Sequence, residues 1–168
     1  MSSMYAVGGI RYRVAEFSPD RVHRYTLWRG RSLFEGGDRY VQFIGLNPST
    51  ADETRDDPTL RKCQKFAMSW GYASMCMTNI FGYRATDPRD MKAAADPIGP
   101  DNMAWIRRIA ESASLIVAAW SQHGDFMDQG DKVRKLLADR ELHVLRLGKT
   151  GPYHPLYLPD STRPFLWV

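Results

Sequence analysis

From residue 40 onward, short apolar runs alternate with amphipathic stretches, a pattern that few folds accept. Tyr40–Ile44, Ser74–Ile80, Leu115–Trp120 and His143–Leu147 read as buried strands. The stretch after the first run is helical: Asp57 can cap it, Pro58 suits its first position, and Leu60, Cys63, Phe66, Ala67 and Trp70 share one face until Gly71 stops it. Asp101–Ser112 and Phe126–Ala138 read as two further helices. Strands joined through helices must run parallel, so the pattern predicts an α/β fold: a three-layer α/β/α sandwich with a mostly parallel four-stranded sheet. The 168 residues suit a single domain, 1–168, with residues 1–39 as an extension packed on the core 40–168. In that irregular extension Tyr25–Arg29 is a possible edge strand, closed by a Gly36-Gly37 turn.

Parallel sheets bind ligands beyond the carboxyl ends of their strands. Here those positions are polar. The first strand leads into Gly45-Leu46-Asn47-Pro48-Ser49-Thr50, the second into Thr78-Asn79 and on to Tyr83-Arg84, the third into Ser121-Gln122-His123-Gly124. The fourth runs into Gly148-Lys149-Thr150 and then Tyr153-His154-Pro155. Gly45 followed by Asn47-Pro48 makes a rigid turn that directs a side-chain amide into the rim, where Asn47 can hold a water by accepting its hydrogen bond.

Composition narrows the function classes. The 23 basic against 19 acidic residues leave a formal charge of +4, mildly favourable for phosphate-bearing partners. Cys63 and Cys76 are too few for a disulfide framework or an iron–sulfur set. No apolar run approaches the roughly 18 residues that cross a bilayer, and the N-terminus lacks the pattern of a secretory signal, so a cytoplasmic, bacterial-type protein is expected. No Gly-x-Gly-x-x-Gly follows a strand and no Gly-x-Ser-x-Gly occurs, while His23, His123, His143 and His154 are too dispersed for a zinc set. No cofactor and no metal are expected. Asp52, Glu53, Asp56 and Asp57 form the one acidic cluster that could carry Mg²⁺ and a phosphoester chemistry, against the simpler reading of a solvated loop with a helix cap.

Longer motifs carry a resemblance. Gly45 through Glu53, Asp57 through Cys63, Thr78 through Pro88, Asp96 through Asn102 and His154 through Pro159 resemble an uncharacterised bacterial family, domain of unknown function 1643, over nearly the whole chain from about Arg24. More distantly, Gly45-Leu46-Asn47-Pro48 is similar to the first motif of the uracil-DNA glycosylase superfamily, and His154-Pro155-Leu156-Tyr157-Leu158 to its second, with Asn79 at the base-reading position. This likeness implies a uracil-DNA glycosylase-like fold and a nucleobase-binding protein. Its reaction would be hydrolysis of the N-glycosidic bond of uracil or a modified pyrimidine in DNA, single-stranded or with the base flipped, as in DNA repair.

The same resemblance distributes roles. Asn47 and His154 become the catalytic residues, one positioning water and the other stabilising charge on the base. Gly45, Leu46, Pro48, Ser49, Asn79, Phe81 and Tyr83 become substrate-binding, with the small Ser49 leaving room at pyrimidine C5. Arg55, Arg84 and Lys149 would contact phosphates, and Leu156, Tyr157 and Leu158 would fill the gap left by a flipped base. The alternative is a binding protein for a free nucleotide that keeps the pocket without the chemistry.

Overall fold

The computed structural model describes residues 4–7, 10–30 and 39–168. In chain order these form β1 (Met4–Val7), β2 (Ile10–Arg13), β3 (Ala15–Phe17), β4 (Arg24–Gly30), β5 (Tyr40–Gly45), α1 (Pro58–Ser69) and β6 (Ser74–Asn79). There follow α2 (Pro88–Ala93), α3 (Asn102–Ser112), β7 (Leu115–Ala118), a 3-10 segment (Gln122–Asp128), α4 (Gln129–Leu136) and β8 (Leu142–Val144). The chain ends with β9 (Leu147–Gly148), β10 (Gly151–Pro152) and β11 (Phe165–Leu166).

The expected parallel core is present. β6, β5, β7 and β8 lie side by side and pair in parallel, with Gly45 opposite Asn79 at the carboxyl edge. β5 feeds β6 on one side and has β7 on the other, so the chain reverses its direction of winding beside the carboxyl end of β5. Alternate residues of β5 point to opposite layers: Val41 and Phe43 join Leu60, Cys63 and Phe66 of α1, whereas Tyr40 and Ile44 join Ile106 and Ile109 of α3 and Val133 of α4. Both faces of the parallel core are covered, which is why β5 and β7 read as largely apolar runs.

Three antiparallel strands extend this core, so the described sheet has seven strands in the order β11-β8-β7-β5-β6-β4-β3, not four. The N-terminal strand is also not an edge. β4 lies between β6 and the short β3, and its Leu27 and Trp28 are fully buried. Tyr25–Arg29 looked peripheral because Arg24, Thr26 and Arg29 interrupt its apolar pattern. Thr26 and Arg24 are nevertheless buried, and Arg29 reaches outward to bond Asp56 Oδ1 at 2.8 Å. The Gly36-Gly37 turn lies outside the described residues.

Helix boundaries follow local chemistry. Asp57 caps α1 by accepting from the Leu60 N–H at 2.7 Å, with Pro58 at the start of the helix, and Asp87 caps α2 from the Arg89 N–H. The stretch read as one helix over Phe126–Ala138 is instead broken: Met127 and Asp128 have φ of 56° and 53°, and α4 begins only at Gln129. Behind the sheet, the Asn102 amide donates to the carbonyls of Asn79 and Ile80, and the Gln129 amide donates to Ile80. Two buried carboxamides thus hold the chain where it leaves β6, immediately beyond Asn79.

Candidate functional site

A cavity of about 400 Å³ opens beyond the carboxyl ends of the parallel strands. Gly45–Ser49 line it after β5, Asn79 at the end of β6, Ala119 and Ser121 after β7, and His154–Tyr157 after β8. Asn47, Asn79 and His154, separated by up to 107 positions in the chain, therefore share one cavity.

Asn79 is 3% exposed and its Nδ2 has no hydrogen-bond partner. A buried amide N–H without an acceptor costs about 1–3 kcal/mol, so its presence in a cavity wall points to an acceptor supplied by a ligand or by water. The strand pair can accommodate this side chain only because residue 45 is glycine: a Cβ there would stand 2.6 Å from Asn79 Oδ1.

Asn47 is held by its own loop. Its Nδ2 donates to the Pro48 and Ala85 carbonyls at 3.1 and 2.8 Å, which occupies both donors and leaves Oδ1 as an acceptor. The Ala85 N–H donates back to the Pro48 carbonyl at 2.9 Å, so the segments after β5 and β6 form one wall.

His154 presents a fixed tautomer. The Leu156 N–H donates to its Nδ1 at 3.2 Å, so Nδ1 is the acceptor and Nε2 carries the proton of the neutral ring. Burial holds this imidazole below the usual histidine range, opposed by the charge of Asp57. The result is a neutral N–H donor in the cavity wall.

Four further wall residues were given no part in base binding by the sequence. Asp57, expected as a helix cap and as one carboxylate of the acidic cluster, also lines the cavity, and its second oxygen accepts from Ser49 Oγ at 2.8 Å. Arg24, from the start of β4, also reaches the cavity, 3% exposed and donating to the Ala51 carbonyl at 2.7 Å. Its position before the first parallel strand concealed it. Ser121 has φ 65° and ψ −163°, a backbone region that is essentially glycine-only and costs about 1–3 kcal/mol. Ser121 is held there by its N–H bond to the Pro152 carbonyl at 2.8 Å. Nearby, His123 Nδ1 accepts from Lys92 Nζ at 3.1 Å. No sequence signal announces the Ser121 geometry; the polar run after β7 was the available clue for it and for His123.

The remaining expected residues divide. Gly45, Leu46, Pro48, Ser49, Leu156 and Tyr157 line the cavity, and Tyr157 is 90% exposed at its mouth. Phe81 does not line it: it is fully buried and packs on Phe126, with ring centroids 5.6 Å apart. Leu158, 7% exposed, belongs to the core cluster around α1 and is placed for packing, not for insertion into a nucleic acid. Lys149 is exposed in the β9–β10 hairpin and does not line the cavity. Tyr83, Arg84 and Arg55 line a shallower groove with Arg21 that meets the cavity along Ser49, Ala85 and Thr86.

The acidic cluster disperses. Asp52 Oδ1 accepts from the Thr54 and Arg55 N–H groups, Glu53 pairs with Arg21 at 3.0 Å, Asp56 with Arg29, and Asp57 caps α1. Hydrogen bonding from Thr54 and Arg21 respectively holds the Asp52 and Glu53 carboxyls below their ordinary range. Among the described residues no group of three His, Cys, Asp or Glu side chains is arranged to hold a metal ion. Nor is any described helix long and apolar enough to cross a membrane.

No curated protein and no solved structure matches the chain. The family described as protein of unknown function, DUF1643, matches residues 24–156, which span β4 to the cavity wall at His154 and Leu156. With that match extending over most of its length and all the strands around the cavity, the chain belongs to the DUF1643 family.

Proposed function

We propose that the cavity binds a nucleobase and that the protein hydrolyses the N-glycosidic bond holding it, with uracil or a modified pyrimidine as the base. The observation that carries this reading is the trio of groups in one wall: the buried, unpartnered Asn79 Nδ2 donor, the Asn47 Oδ1 acceptor and the His154 Nε2 donor. A carboxamide matches the adjacent carbonyl and N–H of a pyrimidine edge, and reading by such an edge requires the base outside its stack. As the C1′–N1 bond breaks, the base takes the electron pair, and charge grows on its O2. The neutral His154 N–H stabilises that oxygen without first losing a proton, as donors aimed at developing charge do elsewhere. Water held by Asn47 adds to the C1′ cation, and its proton leaves to the departing base or to solvent.

Asn47 cannot accept that proton, and each oxygen of Asp57 already accepts a hydrogen bond. A wall without a free carboxylate favours a second reading, in which the same pocket binds a nucleotide without cleaving it. Both are tested by incubating the protein with single-stranded oligonucleotides containing uracil, hypoxanthine or 5-hydroxymethyluracil, followed by alkaline cleavage at abasic sites. Hydrolysis predicts strand breaks that fall about 100-fold or more in Asn47→Ala and His154→Ala. Undiminished breakage in both variants would refute the assigned roles, whereas thermal stabilisation by a nucleotide with no strand breaks would select the binding reading.

A further inference from the structure

Arg24 is a buried cation without an ion pair. Its side chain lines the cavity, is 3% exposed, and makes one hydrogen bond among the described residues, from Nη1 to the Ala51 carbonyl. Its Nε is buried with no partner. Eight ion pairs within 4.0 Å occur among the described residues, and none includes Arg24. Asp57 is the carboxylate that acts on it most, at a greater distance than an ion pair, and both Asp57 oxygens are already engaged by Leu60 and Ser49. Burial pushes the Arg24 guanidinium down to about 10, and the like charges of Arg84 and Arg29 push the same way.

A guanidinium carries five N–H donors in a rigid fork that matches carboxylate and phosphate oxygens. Holding one in a cavity wall with its Nε buried and unpartnered and no carboxylate in ion-pair contact is costly unless an anion completes it. The surroundings suit an anion that enters from outside: Arg84 and Arg21 sit in the groove that joins the cavity at Ser49, and Arg84 has no carboxylate within 4.0 Å among the described residues. At about 400 Å³ the cavity has room for a base together with a small charged group.

We infer that the ligand of this cavity is anionic, a nucleobase or nucleotide whose carboxylate or phosphate oxygens pair with the buried guanidinium of Arg24. The base half of that ligand rests on the proposed function, while the anionic half rests on Arg24 alone. A nucleotide would place its phosphate on Arg24 and its base against Asn79; a carboxylated pyrimidine would present both from one ring.

Calorimetric titration of the whole protein with uracil, uridine, uridine 5′-monophosphate, orotate and inorganic phosphate separates these terms. At least one of uridine monophosphate and orotate binds about tenfold or more tightly than its neutral counterpart, uridine or uracil respectively. Arg24→Met abolishes that preference, and Arg24→Lys keeps part of it. Preference for the nucleotide alone identifies phosphate as the anion, and preference for orotate alone identifies the ring carboxylate. Equal affinity for charged and neutral members of both pairs, or no binding by either anion, overturns the inference. Should Arg24→Met not fold, the comparison of charged with neutral probes on the unaltered protein remains decisive. Inorganic phosphate binding as tightly as the nucleotide would leave the anion site standing and remove the base-binding reading.

Discussion

Gly45 and Asn79 face each other across the β5–β6 pair, and the Asn79 Oδ1 occupies the space that a side chain at position 45 would need. A Cβ at 2.6 Å from that oxygen must displace it, and Asn79 is buried at 3% exposure with little freedom to move. Gly45→Ala should therefore lower base affinity about tenfold or more while costing about 1–3 kcal/mol of stability, as overpacking in a dense interior does. Titration with uridine monophosphate and urea unfolding of the same variant measure the two effects. Unchanged affinity would mean that Asn79 does not read the ligand.

Asp57 links the fold to the cavity. One oxygen caps α1 through the Leu60 N–H and the other accepts from Ser49 in the loop after β5. Asp57→Ala should destabilise the protein by about 1–2 kcal/mol, the cost of a lost N-cap, and loosen the Ser49 side of the wall. Urea unfolding gives the first quantity and ligand titration the second.

His154 makes the site sensitive to acid. Burial lowers its folded-state pKa below the ordinary value of 6.5, so below that value the unfolded chain binds the proton more readily than the folded one. The stability contributed by the neutral ring is complete above about pH 6.5 and is lost as pH falls through the lowered folded-state value. His154→Gln should flatten this limb of a urea-midpoint profile between about pH 5 and 8. An identical slope in the variant would assign the acid sensitivity to other groups.

The legibility of this chain was uneven for physical reasons. β5, β6 and β7 are covered on both faces, so their sequences are largely apolar apart from buried polar residues such as Gln42 and Thr78, and α1 carries its start in Asp57-Pro58. Asn47, Asn79 and His154 could be found because residues following parallel strands gather at one rim. β4 could not be placed: Arg24 and Arg29 disguise an interior strand, and β3, which covers its outer edge, has three residues. The two-residue β11 offers no periodicity to read. The break before α4 rests on positive φ at Met127 and Asp128, residues whose identities do not require it.

The acidic loop carries a prediction about metals. Asp52, Glu53, Asp56 and Asp57 are directed to backbone donors, Arg21, Arg29 and the α1 N-terminus, in separate directions. Base release, if present, should be unchanged by a chelator. Loss of activity with chelator and its recovery with Mg²⁺ would return the cluster to the reaction.

The groove of Arg21, Arg55 and Arg84 predicts salt-dependent binding of single-stranded DNA. Arg21 and Arg55 are partly neutralised by Glu53 and Asp52, so Arg84→Ala should reduce the salt slope most, by about one unit of the log–log plot. A salt-insensitive affinity would remove phosphate contacts from the account.

The most direct measurement is a nuclear magnetic resonance titration of the isotope-labelled protein with uridine monophosphate. It would follow the Asn79 side-chain amide and the His154 Nε2 together. Both signals should move along one binding curve, with His154 keeping its neutral ring at pH 7. Saturable binding that leaves both signals in place would contradict a base-reading cavity built on these residues.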